Sequence, residues 1–192
     1  MRKSTVKRKT YETEINVELD VDGSGKTDID TGIGFLNHML MLFGFHGGFD
    51  LKIKCTGDLD VDSHHTAEDI GIALGEAFKI ALGDKKGIER YGFMFLPMDE
   101  SLARVAVDLS GRPTLVYNVQ FGRNMLGNMA VEDFKEFFKG FVNNSFSTFH
   151  IEVLYGENDH HKIEAVFKGF GRALKTASRI TSENCMSTKG AL

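Results

Sequence analysis

The sequence predicts an α+β fold made from one strand–helix unit used twice, with helices on one side of mostly antiparallel strands. Three observations lead there. His64-His65-x-x-Glu68 returns as His160-His161-x-x-Glu164, shifted by 96 positions at all three shared residues. Each copy opens a run of apolar residues spaced three and four apart, the mark of a helix with one buried stripe. Upstream of each copy, residues alternate in the period-two manner of half-buried strands.

Taken in order, the first residues are basic (Arg2, Lys3, Lys7, Arg8, Lys9) and read as the solvated start of a first strand. Glu12 to Leu19 alternates and stops at a turn near Gly23. Leu36, Met39, Leu40 and Phe43 mark a helix carrying His38, and Leu51 to Cys55 is a strand. Ser63 stands where an N-cap belongs, followed by Ile70, Ala73, Leu74, Ala77, Phe78 and Ala81. Gly83 to Arg90 divides the chain, giving a first half of residues 1–86 and a second of 87–192. The second half repeats the series: a strand from Ser101 to Val107, a turn near Gly111, a helix from Phe134 to Phe141, and a strand from Phe149 to Val153. Asp159 then stands in the cap position before Ile163, Val166, Phe167, Phe170, Ala173 and Leu174. In this alignment Glu136 takes the place of His38.

Composition removes several classes. With 192 residues, 42% hydrophobic and 26% charged, the chain is globular and forms one compact pseudo-symmetric unit. Its 23 basic and 27 acidic residues leave a net charge of −4, unsuited to phosphate-backbone binding, so no nucleic-acid partner is expected. The most apolar stretch, Gly32 to Phe49, is broken after its first residue by Asn37, His38, His46 and four further glycines and cannot span a bilayer. Two cysteines, Cys55 and Cys185, and no signal-peptide core suit a reducing cytoplasm. Gly25-Lys26-Thr27 lacks the first glycine of a phosphate loop, with Asp20 in its place. A calcium loop from Asp20 would end on Thr31 where it needs glutamate. A hairpin turn accounts for both.

The repeated His pair carries the chemistry. At 3.6 residues per turn His64 and Glu68 share a face, while adjacent histidines diverge by about 100°. One ion cannot easily use both, so each pair serves two ions, or one ion and one substrate. Imidazole with carboxylate suits Zn, Mn or Fe. His38, facing inward from its apolar helix, joins this cluster, and Glu136 offers a further ligand. His46 and His150 have no counterpart in the other half and are read as structural.

Three motifs, Thr31-Gly32-Ile33-Gly34-Phe35-Leu36-Asn37-His38-Met39-Leu40, Asp62-Ser63-His64-His65-Thr66-Ala67-Glu68-Asp69 and Tyr155-Gly156-Glu157-Asn158-Asp159-His160-His161, closely resemble the imidazoleglycerol-phosphate dehydratase family. So do Asp108-Leu109-Ser110-Gly111-Arg112-Pro113 and Ser187-Thr188-Lys189-Gly190, and the likeness runs from about Lys9 onward. The resemblance implies a duplicated fold like the second domain of ribosomal protein S5. It implies dehydration of imidazole-glycerol phosphate to imidazole-acetol phosphate in histidine biosynthesis, with two Mn²⁺ per active site. The ligands would be His38, His64, His65, Glu68, His160, His161 and Glu164, with Glu136 where relatives often carry histidine. Glu12, His65 and Glu164 would take part in catalysis, Glu12 as the acid/base. Substrate contacts would come from Glu12 and His38, with Arg90, Arg112, Lys168, Ser187 and Lys189 gripping the phosphate. The family further implies a large closed homo-oligomer, on the order of two dozen chains, with active sites between subunits. The competing reading is a non-catalytic metal-binding assembly protein, which would need the His/Glu cluster but neither Glu12 nor the arginines.

Overall fold

The computed structural model of the chain describes residues 2–184, 186 and 187. Strands β1 (Lys3–Lys9), β2 (Thr13–Asp20) and β3 (Thr27–Asp30) are followed by α1 (Gly34–Gly47), β4 (Asp50–Gly57) and α2 (His64–Leu82). Then come β5 (Tyr91–Met98), β6 (Ser101–Asp108) and β7 (Thr114–Asn118), and a small hairpin of β8 (Met125–Leu126) and β9 (Met129–Ala130). Helix α3 (Asp133–Ser145), β10 (Thr148–Tyr155) and α4 (Asp159–Ser178) complete the series. No helix among the described residues is long and apolar enough to cross a membrane.

The two four-stranded sheets share one plan, β1-β2-β4-β3 and β5-β6-β10-β7. Antiparallel neighbours dominate each, with a single parallel pair, β3 beside β4 and β7 beside β10. Those parallel pairs need a crossover, and α1 and α3 supply it. Strand β2 alternates fully, Ile15, Val17 and Leu19 inward and Glu14 and Glu18 outward, so one face is committed to a helix layer. Helix α2 covers the first sheet and α4 the second, while α1 packs on α4 and α3 on α2. Each helix pair therefore joins one helix from each half.

Glycine lets those pairs close. A Cβ on Gly75 would lie 2.4 Å from the Phe141 carbonyl oxygen, and one on Gly171 would lie 2.5 Å from that of Phe43. Phenylalanine fills the space around the crossings. Phe170 stacks on Phe43 of the other half with ring centroids 4.5 Å apart, and meets Phe141 edge-on at 4.9 Å. These rings are fully buried, and aromatic pairs of this kind add about 0.5–1.5 kcal/mol each beyond area burial.

Three local expectations change. The basic start is a strand of its own, β1, with only Val6 buried. The segment after Asp20 is a crossing turn and no hairpin, because β3 pairs with β4 on the far side of the sheet. The Asp50 carboxylate pins it, accepting the backbone N–H groups of Ser24 and Lys26 at 2.8 and 3.0 Å. Asp159 does not cap α4. Asn158 does, its Oδ1 accepting from the His160 N–H at 2.9 Å. Asp159 is buried and accepts from Gly122 and Arg123 instead.

Candidate metal centre and active site

The cross-half helix pairs decide which site residues meet. His38 on α1 faces the first turn of α4, where His160 and Glu164 lie one turn apart. One ligand atom from each of the three lies within 4.8 Å of the others, the one such group among the described residues. Glu164 Oε2 is 3.2 Å from His160 Nε2 and 3.9 Å from His38 Nε2. His38 does not face inward as its apolar helix suggested. Its side chain is 47% exposed at the rim of the helix pair, open to an approaching ion.

Glu164 is nearly buried and forms an ion pair with Lys168, Oε1 to Nζ at 2.6 Å. Burial alone would raise its carboxyl, but the Lys168 hydrogen bond and charge, with His160 and His38, outweigh it and hold the group below the ordinary range. The site keeps a carboxylate at neutral pH. Two imidazoles and a carboxylate are a borderline-to-hard donor set, fitting Mn, Fe or Zn. Burial pushes the Cys55 thiol up to about 12, so it offers no thiolate.

The pseudo-equivalent pair, α2 with α3, is arranged differently. His64 Nε2 lies 3.9 Å from Glu68 Oε2, the i, i+4 geometry that the spacing required. Glu136 lines the same concave surface as His64 but turns to Lys139, Oε2 to Nζ at 2.8 Å. It is Asp133, at the start of α3, that reaches His64, with Oδ1 3.4 Å from Nδ1. In the other pair Phe35 packs edge-on to His160 at 5.0 Å.

His65 and His161 point away from these clusters, as adjacent helical residues must. Asp58 Oδ2 lies 2.9 Å from His65 Nδ1, and Glu12 Oε1 lies 3.7 Å from its Nε2. Glu100 Oε2 lies 2.7 Å from His161 Nδ1. The hydrogen bond to Asp58 raises the His65 pKa, and that to Glu100 raises His161. The reciprocal effect, reinforced by the Asn158 N–H, holds the Glu100 carboxyl far below the ordinary range. Glu12 sits at the β1–β2 tip with its side chain 51% exposed, so its carboxylate is open to a ligand.

The residues expected to grip a phosphate split into two places. Arg90 forms a two-pronged bond to Asp108, Nε to Oδ1 at 2.8 Å and Nη2 to Oδ2 at 3.2 Å. Its Nη1 donates to the Met186 carbonyl at 2.8 Å, which brings Ser187 to this neighbourhood. Arg112 is largely exposed nearby, 3.8 Å from Asp108. Lys168 is elsewhere, with Glu164. Lys189 lies outside the described residues. The Arg90 N–H donates to the Ala177 carbonyl near the end of α4, whereas His161 is in its first turn. At 1.5 Å per residue the two ends are roughly 24 Å apart.

Asp58, Glu100 and Asp133 are the polar groups that sequence reasoning missed. Asp58 and Glu100 lie in loops at strand ends and Asp133 opens α3, at no fixed spacing from the histidines. The one available signal was acidity at Asp133 directly before a run of buried phenylalanines.

With this geometry in view, the comparisons with known proteins are specific. A family model described as imidazoleglycerol-phosphate dehydratase matches residues 31–174. The chain is similar to the imidazoleglycerol-phosphate dehydratase of Clostridioides difficile strain 630, 62% identical over 192 residues that cover 100% of each chain. That of Acetivibrio thermocellus is 55% identical over 193 residues, covering 100% of this chain and 99% of its own. Among solved structures, the imidazoleglycerol-phosphate dehydratase of Staphylococcus aureus superposes with a TM-score of 0.84 at 44% identity, over 92% of this chain and 98% of that one. The Pyrococcus furiosus structure, a complex with (S)-C348, gives 0.86 at 42% identity, over 97% and 100%. Likeness of this strength over the whole length, on a chain whose two repeats close a shared imidazole–carboxylate cluster, establishes that it belongs to the imidazoleglycerol-phosphate dehydratase family.

Proposed function

We propose that the chain is a metal-dependent hydro-lyase that converts imidazole-glycerol phosphate to imidazole-acetol phosphate and water in the cytoplasmic synthesis of histidine. The observation that carries the reading is the convergence of His38, His160 and Glu164 from opposite halves of a chain of this family. The residues that would hold the metal, Mn²⁺ at two per active site, are these three with His64, Glu68 and Glu136 on the other helix pair, and His65 and His161. Bound Mn²⁺ supplies Lewis acidity toward charge developing on an azole ring.

The protein groups supply the rest. The hydroxyl to be lost is on the carbon beside the ring, and loss of water leaves the enol of the keto product. The proton to be removed lies on the next carbon and is only weakly acidic. Glu12, exposed and 3.7 Å from His65, is available to take it, and proton transfer of this kind contributes 10²–10⁴-fold, in round numbers about three orders of magnitude. Lys168, fixed by Glu164, adds positive charge beside the donor cluster. Arg90, Arg112 and Ser187, with Lys189 beyond the described residues, suit a phosphate dianion.

The separation of roughly 24 Å between the arginine end and the His161 end is far longer than a five-membered ring with a three-carbon phosphate tail. One chain cannot grip the phosphate and present the ring to its own His161. The arginines of one chain therefore serve the His161 end of another, which supports a homo-oligomer with active sites between subunits. We take residues 1–86 and 87–192 as the two repeat halves of that protomer. A non-catalytic metal store would have no use for Glu12 or for the arginine cluster.

The test is incubation of purified, Mn²⁺-loaded protein with imidazole-glycerol phosphate, following appearance of the keto product. Correctly folded, metal-loaded protein that forms none would overturn the reading.

A further inference from the structure

The two sheets place four carboxylates in corresponding positions. Thr13 and Ser101 open β2 and β6, so Glu12 and Glu100 occupy equivalent hairpin tips. Gly57 and Gly156 also correspond, since a Cβ on either would meet that opening residue and the residue directly after the His pair, Thr13 with Thr66 and Ser101 with Lys162. Asp58 and Glu157 follow these glycines and form the second pair.

The two halves use these pairs in opposite ways. In the second half the hairpin glutamate holds the histidine: Glu100 Oε2 meets His161 Nδ1 at 2.7 Å. Its Oε1 accepts from Ser101 Oγ at 2.9 Å and from the backbone N–H groups of Glu157 and Asn158 at 3.1 and 2.8 Å. In the first half the loop aspartate does this work, Asp58 Oδ2 meeting His65 Nδ1 at 2.9 Å. Glu12 moves to the opposite edge of the ring, 3.7 Å from Nε2.

An ionised carboxylate only accepts hydrogen bonds, so the nitrogen facing it must be the N–H of a neutral imidazole. The lone pair then lies on Nε2. We propose that Asp58 and Glu100 are positioning residues that select the tautomer of His65 and His161, presenting Nε2 of each ring outward as a metal ligand. The exchange of partners in the first half is what releases Glu12, alone of the two hairpin glutamates, for proton transfer. The inference rests on the metal-dependent reading above, but the tautomer it assigns is a property of the metal-free protein.

The discriminating variant is Glu100→Gln. Three donors converge on Oε1, so the amide oxygen must stay there and the NH₂ group must face His161. A facing donor turns Nδ1 into an acceptor and moves the proton to Nε2, while the backbone bonds survive. Ring-nitrogen NMR of histidine-labelled, chelated full-length protein, above the pH of imidazole titration, reads the tautomer directly. The expected result is Nδ1–H for His65 and His161 in the parent and Nε2–H for His161 alone in the variant. Mn²⁺ affinity measured by titration should fall about 10–100-fold, the range for removing such an outer partner. Asp58→Ala, which removes no backbone contact, should leave His65 a mixture of tautomers and decides the matter if Glu100→Gln does not fold. Unchanged tautomers with unchanged Mn²⁺ affinity in the folded variants overturn the inference. Parent protein assayed alongside for turnover separates that failure from failure of the dehydratase reading.

Discussion

Replacing Gly75 with alanine tests whether the cross-half helix contact sets both stability and site geometry. In isolation the change favours the helix by about 1 kcal/mol. The packing opposes it. The new Cβ would lie 2.4 Å from the Phe141 oxygen and 3.0 Å from its carbonyl carbon and Cα, all backbone of α3, so no rotamer change relieves the overlap. Restoring a normal carbon–oxygen separation of about 3.4 Å requires α3 to move on the order of 1 Å. Overpacking of this sort costs about 1–3 kcal/mol, so after the helix gain we expect net destabilisation of up to about 2 kcal/mol. For a chain of this size that is a loss of up to roughly 8 °C in Tm. The assay is thermal unfolding of chelated protein followed by circular dichroism, with Gly34→Ala, where a Cβ meets nothing within 4 Å, as the neutral control. Because α3 carries Glu136 and Asp133 toward His64, metal affinity on that helix pair should also drop. A Gly75→Ala protein more stable than the parent by the full helix gain of about 1 kcal/mol would mean the helices can separate freely, and the packing argument would fail.

Glu12→Gln should leave Mn²⁺ and substrate binding nearly intact while turnover drops about 100-fold or more, and near-normal turnover would assign proton transfer to another group. Chelation should shrink the particle to a small oligomer without unfolding it, read by light scattering with circular dichroism, and Mn²⁺ should restore size and activity together; a metal-free protein of full mass would break that linkage. In the metal-free protein the raised pKa values of His65 and His161 contribute stability that is complete below the ordinary histidine value of about 6.5. That contribution is lost as pH rises through the raised folded values, and Mn²⁺ affinity should climb over the same window as the rings lose their protons. Parallel melts and Mn²⁺ titrations across that range check both signs.

Where a residue repeats with a period, the sequence announced it. Helices α2 and α4 were legible because Ala73, Ala77, Val166 and Phe170 recur at helical spacing, and the His pairs because they head those helices. Edge strands were not legible: β1 buries only Val6, and β3 buries nothing fully among Thr27, Asp28, Ile29 and Asp30. A strand without a buried face has no pattern to betray it. The donor residues were visible as types, but their grouping was not. That His38 meets His160 and Glu164 follows from which helices pair across the halves, and helix pairing depends on glycines and phenylalanines far from the ligands. Asp58 and Glu100 lacked even a residue-type signal, since surface acids are common and their role lies in one ring nitrogen.

The split donor set has a consequence for the chain as a polymer. An ion bound by His38 together with His160 and Glu164 closes a loop of roughly 120 residues, among the longest clips a chain of this length allows. In a random coil, bringing those ends together would cost on the order of 4–5 kcal/mol on the chain-entropy scale used for cross-links. The folded protein has closed that loop already through Phe43 against Phe170 and Gly47 against Gly171. The ion meets preorganised ligands, while the unfolded chain presents the same three side chains with almost no chance of gathering them. Metal occupancy is thus a gauge of whether α1 is seated on α4: a variant that loosens this seam should lose its metal while every helix is still intact.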